Sequence, residues 1–342
     1  MEDTDLHVYP ESIRWGIIGC GNVTEKKSGP AFNKIPGSSL IAVMRRDAEK
    51  ARDYANRHDV PKWYSDANAL INDPEVNAIY VATPPGSHEV YAVAALQAGK
   101  PVYVEKPMSI DTASCNRMLA VAEKTGMKLT IAHYRRALPM FLKIKELISN
   151  NTIGNVRSIR LSMLQPDNSK VIADAETNWR VNPVLSGAGL FYDLAPHQLD
   201  ILLFFFGNPT EVSGFSANQA GLYKAEDIVT GIMRLPGDIL FNGQWCYTVA
   251  DEAKEDICEI VGSKGRISFP VFGYEVTIQT KEKHEVLSFT PPPHIQQPMI
   301  EKVVQYFSGT GPNPCSAKDA IESMKVMEQF VYGSVSKRDS HP

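Results

Sequence analysis

The stretch Ile13-Arg14-Trp15-Gly16-Ile17-Ile18-Gly19-Cys20-Gly21-Asn22-Val23-Thr24 decides the fold. Its first half is apolar on both faces, the composition of a buried parallel strand. Its second half is a turn punctuated by Gly19 and Gly21, which permit tight backbone geometry and a close approach to a diphosphate. A helix after such a turn offers N–H groups and the positive end of its dipole to that anion. The full dinucleotide fingerprint carries a third small residue, and here Thr24 stands in its place. Gly19, Gly21, Asn22, Val23 and Thr24 are the first candidate cofactor contacts. A strand and glycine turn with no ligand is the plain alternative.

Downstream the chain alternates between helix and strand patterns. Composition predicts a helix over 25–33 and a strand over 39–44, then helices over 47–58 and 66–71. A buried strand follows over 76–82, a helix over 90–98 closed by Gly99, and a strand over 101–104. A helix over 111–125 is stopped by Gly126, and 128–133 reads as one more strand. Such alternation implies a parallel, doubly wound α/β sheet with right-handed crossovers. Arg45 and Arg46 end the second strand, where an acidic residue normally holds the ribose of NAD. Two guanidinium groups suit the extra 2′-phosphate of NADP, although solvated charges at a strand end would read the same way. Thr83 and Pro84 open a turn beside the first glycine turn, where an open α/β sheet binds ligands. His88, at the end of that turn, is a ligand contact, a helix-capping residue or a surface histidine.

The 342 residues are enough for about two domains. With 43% hydrophobic and 22% charged residues the composition is globular, and a formal charge of −4 gives no hint of a nucleic-acid or anionic-membrane surface. No apolar run is long enough to span a bilayer. The acidic, polar opening residues are unlike a secretory leader and read as a loose extension. Five scattered cysteines without a C-x-x-C pair fit reduced thiols in the cytoplasm. No His, Cys, Asp or Glu cluster has metal-ligand spacing, so no metal is expected.

Hydride transfer to a carbonyl needs a donor beside the carbon and a proton for the oxygen. Lys106, at a strand's carboxyl end, can reach both the nicotinamide ribose and the substrate oxygen. His197 titrates near neutrality, Asp193 lies one helical turn before it, and Asp200 falls three residues beyond. A helix whose polar residues merely cap or pair is the alternative. Four stretches together resemble the Gfo/Idh/MocA oxidoreductases: Gly19-Cys20-Gly21; Ala82-Thr83-Pro84-Pro85 followed by His88; Ala98-Gly99-Lys100-Pro101-Val102-Tyr103-Val104-Glu105-Lys106-Pro107; and Gly187-Ala188-Gly189-Leu190-Phe191-Tyr192-Asp193-Leu194-Ala195-Pro196-His197-Gln198-Leu199-Asp200. The resemblance implies that Lys106, Asp193 and His197 are the catalytic group, with His197 the acid/base and Tyr134 beside the substrate. It also implies that Glu105, Arg136, Trp179 and Arg180 lie near the cofactor, and that the peptide before Pro107 is cis. The family's asparagine near the end of the sixth strand is replaced by Ala132, followed by His133 and Tyr134.

From Asn155 the texture changes to runs rich in β-branched and aromatic residues, over 156–163, 211–215, 227–235, 239–248, 256–261, 266–269, 275–279 and 285–289. They predict a large, mostly antiparallel, open-faced sheet with a long helix over 189–206 and closing helices over 296–307 and 317–332. The expected domains are a dinucleotide-binding unit over 12–135, a substrate-binding and oligomerisation unit over 136–315, and a closing helix over 316–334 that returns to the first. The resemblance implies a homodimer or homotetramer through the open sheet face. The leading expectation is an oxidoreductase preferring NADP(H), with NAD(H) possible, acting on a sugar or polyol. An NAD-retaining glycosidase-type enzyme and a non-enzymatic NADP-sensing regulator are the alternatives.

Overall fold

The computed structural model describes residues 10–167 and 179–333, with the backbone alone at Trp179 and Val184. The first half runs β1 (Ile13–Ile18), α1 (Asn22–Lys26), β2 (Ser38–Met44), α2 (Ala48–Arg57), β3 (Lys62–Tyr64), α3 (Ala67–Ile71), β4 (Ala78–Val81), α4 (His88–Gln97), β5 (Val102–Val104), α5 (Thr112–Thr125) and β6 (Leu129–Ile131). Aspartates set the helix starts: Asp47, Asp66 and Asp111 accept backbone N–H groups in the first turns of α2, α3 and α5. All pairings in the resulting six-stranded sheet are parallel, in the order β3-β2-β1-β4-β5-β6. Strand order reverses between β1 and β4, so the turns after those two strands flank the crevice where such sheets take ligands.

One local reading needs correction. The helix expected over 25–33 is a five-residue α1 followed by a 3-10 turn at Gly29–Lys34. Pro30 lacks an N–H and disfavours helical geometry in the residue before it, so α1 cannot run on. The three-residue β3 and α6 (Pro139–Ser149) carried no expectation at all.

The second half adds, after α6, β7 (Val156–Leu164), α7 (Pro183–Ser186), α8 (Gly189–Phe206), β8 (Glu211–Ala217), β9 (Ile228–Leu235), β10 (Ile239–Cys246), β11 (Glu255–Gly262), β12 (Gly265–Phe269), β13 (Glu275–Thr280), β14 (His284–Ser288), α9 (Gln297–Phe307) and α10 (Ala317–Tyr332). The eight strands form one sheet in the order β14-β13-β12-β11-β7-β10-β9-β8. Every pairing is antiparallel except β7 with β10. One face is covered by helices. Phe191 of α8 meets Trp245 edge-on at 5.1 Å, and Phe330 of α10 stacks on Phe241 at 6.4 Å. Gly214 and Gly231 make room for α10, because a Cβ at either would lie 2.5–2.6 Å from Phe330. The other face carries exposed Phe215, Ile232 and Leu240.

The closing helix touches both sheets. Besides Phe330, it offers Glu328, whose carboxylate accepts Thr112 N and Oγ1 of α5 at 2.8 Å each, and Ser316 bridges to Thr130 of β6. Buried apolar side chains from both halves form one continuous core. Among the described residues no helix is long and apolar enough to cross a membrane. All five cysteines are buried and free.

Candidate active site

The site grows from three strand ends and one helix. After β1, Gly19 adopts φ +96°, and a Cβ there would sit 2.6 Å from Thr83 Cγ2 and 2.8 Å from Thr83 N. The turn after β4 is therefore packed directly on the glycine turn, and only glycine fits between them. Gly21 is open, with nothing nearer than 4.0 Å to the position of its missing Cβ. Backbone can thus be approached closely here, the geometry a diphosphate requires. Asn22 is exposed at the tip and Val23 is half-buried. Arg45 reaches back to this turn, with Nη1 3.5 Å from Cys20 O, while Arg46 is exposed at the end of β2.

After β5, Lys106 projects toward α8 across a cis Lys106–Pro107 bond. Its Nζ donates to Asp193 Oδ1 and to Asp193 O, each at 2.9 Å. Arg180 Nε donates to the other carboxylate oxygen at 2.8 Å. Burial alone would raise the Asp193 carboxyl, but the Lys106 and Arg180 cations outweigh it and hold it at about 2. The aspartate is thus ionised, and it fixes the position of the Lys106 Nζ donor.

His197 lies one turn along the same face of α8. The ring is buried, Nδ1 makes no hydrogen bond among the described residues, and Tyr134 and Phe272 meet it edge-on at 5.1 and 5.7 Å. Burial pushes its pKa well below the usual value, and the nearby charges of Lys106, Arg135, His133 and Lys27 push the same way. This imidazole is therefore a neutral proton acceptor near neutral pH.

Asp200 completes the polar stripe of α8. Arg136 clamps it through Nε at 2.9 Å and Nη2 at 2.8 Å, and reaches Asp319 of α10 at 3.4 Å. His133 Nδ1 stands 3.6 Å from the Asp200 carboxylate.

Four residues expected beside the cofactor are instead committed to internal bonds. Thr24 is fully buried, its hydroxyl donating to Gly21 O and its carbonyl accepting Tyr54 OH. Glu105 is turned inward, accepting from Tyr80 OH and from Gln296 Nε2. His88 is buried between backbone carbonyls, and Arg136 is spent on Asp200. The Trp179 side chain lies outside the described residues. Among the described residues no group of three His, Cys, Asp or Glu side chains could hold a metal ion.

The sequence matches the family described as an oxidoreductase family with an NAD-binding Rossmann fold, GFO_IDH_MocA, over residues 13–133, and that family's C-terminal domain over 141–268. The chain belongs to the Gfo/Idh/MocA oxidoreductase family. Oxidoreductase P35 of Formosa agariphila is 42% identical over 318 residues, covering 93% of this chain and 98% of that protein. Among solved structures, aldose-aldose oxidoreductase from Caulobacter crescentus, complexed with glycerol, shares the fold at TM-score 0.82 with 22% identity, over 93% of this chain and 96% of that one. Levoglucosan dehydrogenase, complexed with NADH and levoglucosan, superposes at TM-score 0.83 with 18% identity, over 93% and 96%.

This Gfo/Idh/MocA site also contains residues that sequence reading did not single out. Arg135 donates to Val271 O at 2.6 Å and stacks over Phe272 at 4.4 Å, fixing the aromatic wall against His197. Asp256 holds the same loop by accepting Val271 N and Phe272 N. Gln296, before α9, reaches 191 positions back to Glu105. The doublet Arg135-Arg136 beside a strand end was a signal for the first of these. Nothing in the local sequence around Phe272 or Gln296 marks them.

Proposed function

We propose that the chain is an NADP(H)-preferring oxidoreductase that moves a hydride between the nicotinamide and a sugar, polyol or related polyhydroxy compound. The observation that carries this reading is the Lys106 ammonium held at 2.9 Å by an ionised Asp193, one helical turn from a buried neutral histidine. The open backbone at Gly21, the packed Gly19–Thr83 contact and the two arginines after β2 fit a nicotinamide nucleotide. Gly19, Gly21, Asn22 and Val23 would hold its diphosphate, Thr83 and Pro84 would line the crevice beside it, and Arg45 and Arg46 would pair with a 2′-phosphate. Asp47, the acidic residue next in sequence, caps α2 through Glu49 N and Lys50 N.

When bound, the nucleotide supplies or accepts the hydride. The protein does the rest. Lys106 donates a hydrogen bond to the reacting oxygen and favours its developing negative charge. His197 takes the hydroxyl proton in oxidation and returns it in reduction. Arg180 holds Asp193, and Asp193 holds Lys106. Tyr134 and Phe272 wall the site and keep His197 dry. Exposed Phe215, Ile232 and Leu240 support a homo-oligomer joined through the open sheet face.

Titration of the dialysed protein with NADPH and NADH, read by nicotinamide fluorescence, tests the cofactor assignment. NADPH should bind about tenfold tighter, roughly 1.4 kcal/mol, and Arg45→Ala with Arg46→Ala should remove the difference. Equal or tighter NADH binding by the unaltered protein would reduce both arginines to surface charges.

A further inference from the structure

Gln296 is buried just before α9. It belongs to the second half of the chain, yet its N–H and its side-chain amide are both spent on the first half. The N–H donates to Lys27 O at 3.1 Å, at the carboxyl end of α1. Nε2 donates to Glu105 Oε1 at 2.7 Å, and Oε1 lies 3.5 Å from Tyr103 OH of β5. Two residues earlier, His294 Nδ1 lies 2.8 Å from Lys26 O. The segment entering α9 is therefore strapped across the end of α1 and reaches beneath the end of β5.

Glu105 is the relay. Its carboxyl group is buried, with Tyr80 OH and Gln296 Nε2 donating to Oε1. Oε2 accepts the backbone N–H of Lys106 at 3.1 Å. All three donors are neutral. A buried carboxyl oxygen that loses a donor bears its own desolvation cost, so these donors fix the orientation of the group. Without the Gln296 amide, Oε1 keeps the Tyr80 donor but the group is free to turn about it, which takes Oε2 away from Lys106 N. We propose that Gln296 is a positioning residue: through Glu105 it holds the base of Lys106 at a fixed offset from α1. Lys27 N–H closes α1 on Val23 O, so one end of the brace sits on the helix of the glycine turn. At the other end Lys106 leaves β5 and places Nζ 2.9 Å from Asp193 Oδ1. Because a misplacement of about 1 Å costs up to about 100-fold in rate, an amide that sets the base of the lysine acts on turnover through it.

The effect on turnover rests on the oxidoreductase reading; the brace does not. The test uses the whole protein and Gln296→Met, which keeps the length of the side chain and removes the amide. Amide hydrogen exchange of the unliganded protein is followed by 15N NMR. Exchange at Lys106 N–H should accelerate about tenfold, while Glu105 N–H and Ala132 N–H, bonded to Val81 O and Val104 O, keep their rates. Unchanged exchange at Lys106, or an equal rise at all three, would overturn the brace. In parallel, kcat is measured with NADPH and the polyhydroxy substrate in a cycle with Lys106→Ala. Gln296→Met should lower kcat about tenfold in the wild type and by less than about twofold in Lys106→Ala. The same loss in both backgrounds would mark a general structural role and overturn the positioning. If Gln296→Met does not fold, Gln296→Asn, one methylene short of Glu105, is carried through the same measurements. Absence of turnover by the wild type would contradict the oxidoreductase reading, and the exchange rates would still decide the brace.

Discussion

At the scale of single residues, the chemistry follows from two opposed electrostatic settings on one helix face. Asp193 sits between two cations and stays ionised; His197 is surrounded, among the described residues, by cations that lower its pKa and stays neutral. The sign of the pH dependence follows. Oxidation needs the unprotonated ring, and the folded value is below the ordinary 6.5, so kcat/KM for oxidation should stay level as pH falls through 6.5 and decline only at more acid pH. Arg135 is one of the charges that depress the ring, so Arg135→Gln should move the acid decline upward toward 6.5. A wild-type decline centred at or above 6.5 would contradict a buried, cation-flanked base.

At the scale of elements, α8 is the part on which the two halves meet. Its stripe Asp193, His197, Asp200 faces the carboxyl ends of β5 and β6, and both aspartates are tied to cations of the first half. Asp200→Ala would leave the buried Arg136 charge without its main partner and should cost about 3 kcal/mol in urea denaturation. Replacing both members by leucine should recover most of that loss. A single-variant loss below about 1 kcal/mol would mean that the pair is solvated in solution. Much of this was legible beforehand. The spacing of Asp193, His197 and Asp200 is a helical spacing, and α8 and α10 begin and end where composition placed them. The missed elements fail for physical reasons. Three residues, as in β3, cannot show a period, and α1 stops early because of Pro30. α6, by contrast, does carry a local signature, an apolar face opened by Pro139 in the first turn. His88 and Glu105 sit in motifs that place them near the cofactor, yet their side chains turn inward. Side-chain direction at a strand end is set by tertiary partners such as Tyr80 and Gln296, which no local pattern reveals.

At the scale of the whole molecule, a glycine turn, an arginine pair and a Lys–Asp–His cluster are contributed by a parallel sheet and one helix of a second, antiparallel half. The open face of that second sheet is apolar at Phe215, Ile232 and Leu240. The homo-oligomer proposed through this face predicts that Ile232→Glu with Leu240→Glu lowers the sedimentation mass to that of one chain, and an unchanged mass would contradict a contact through this face. The central claim is the catalytic use of Lys106 and His197 in hydride transfer. The direct measurement is the change in reduced-nicotinamide absorbance with a panel of sugars and polyols, for the wild type and for Lys106→Ala and His197→Ala, alongside nucleotide affinity. The account predicts turnover of a polyhydroxy compound that falls about 100-fold or more in each variant while the nucleotide still binds. Variants that turn over at the wild-type rate would contradict it.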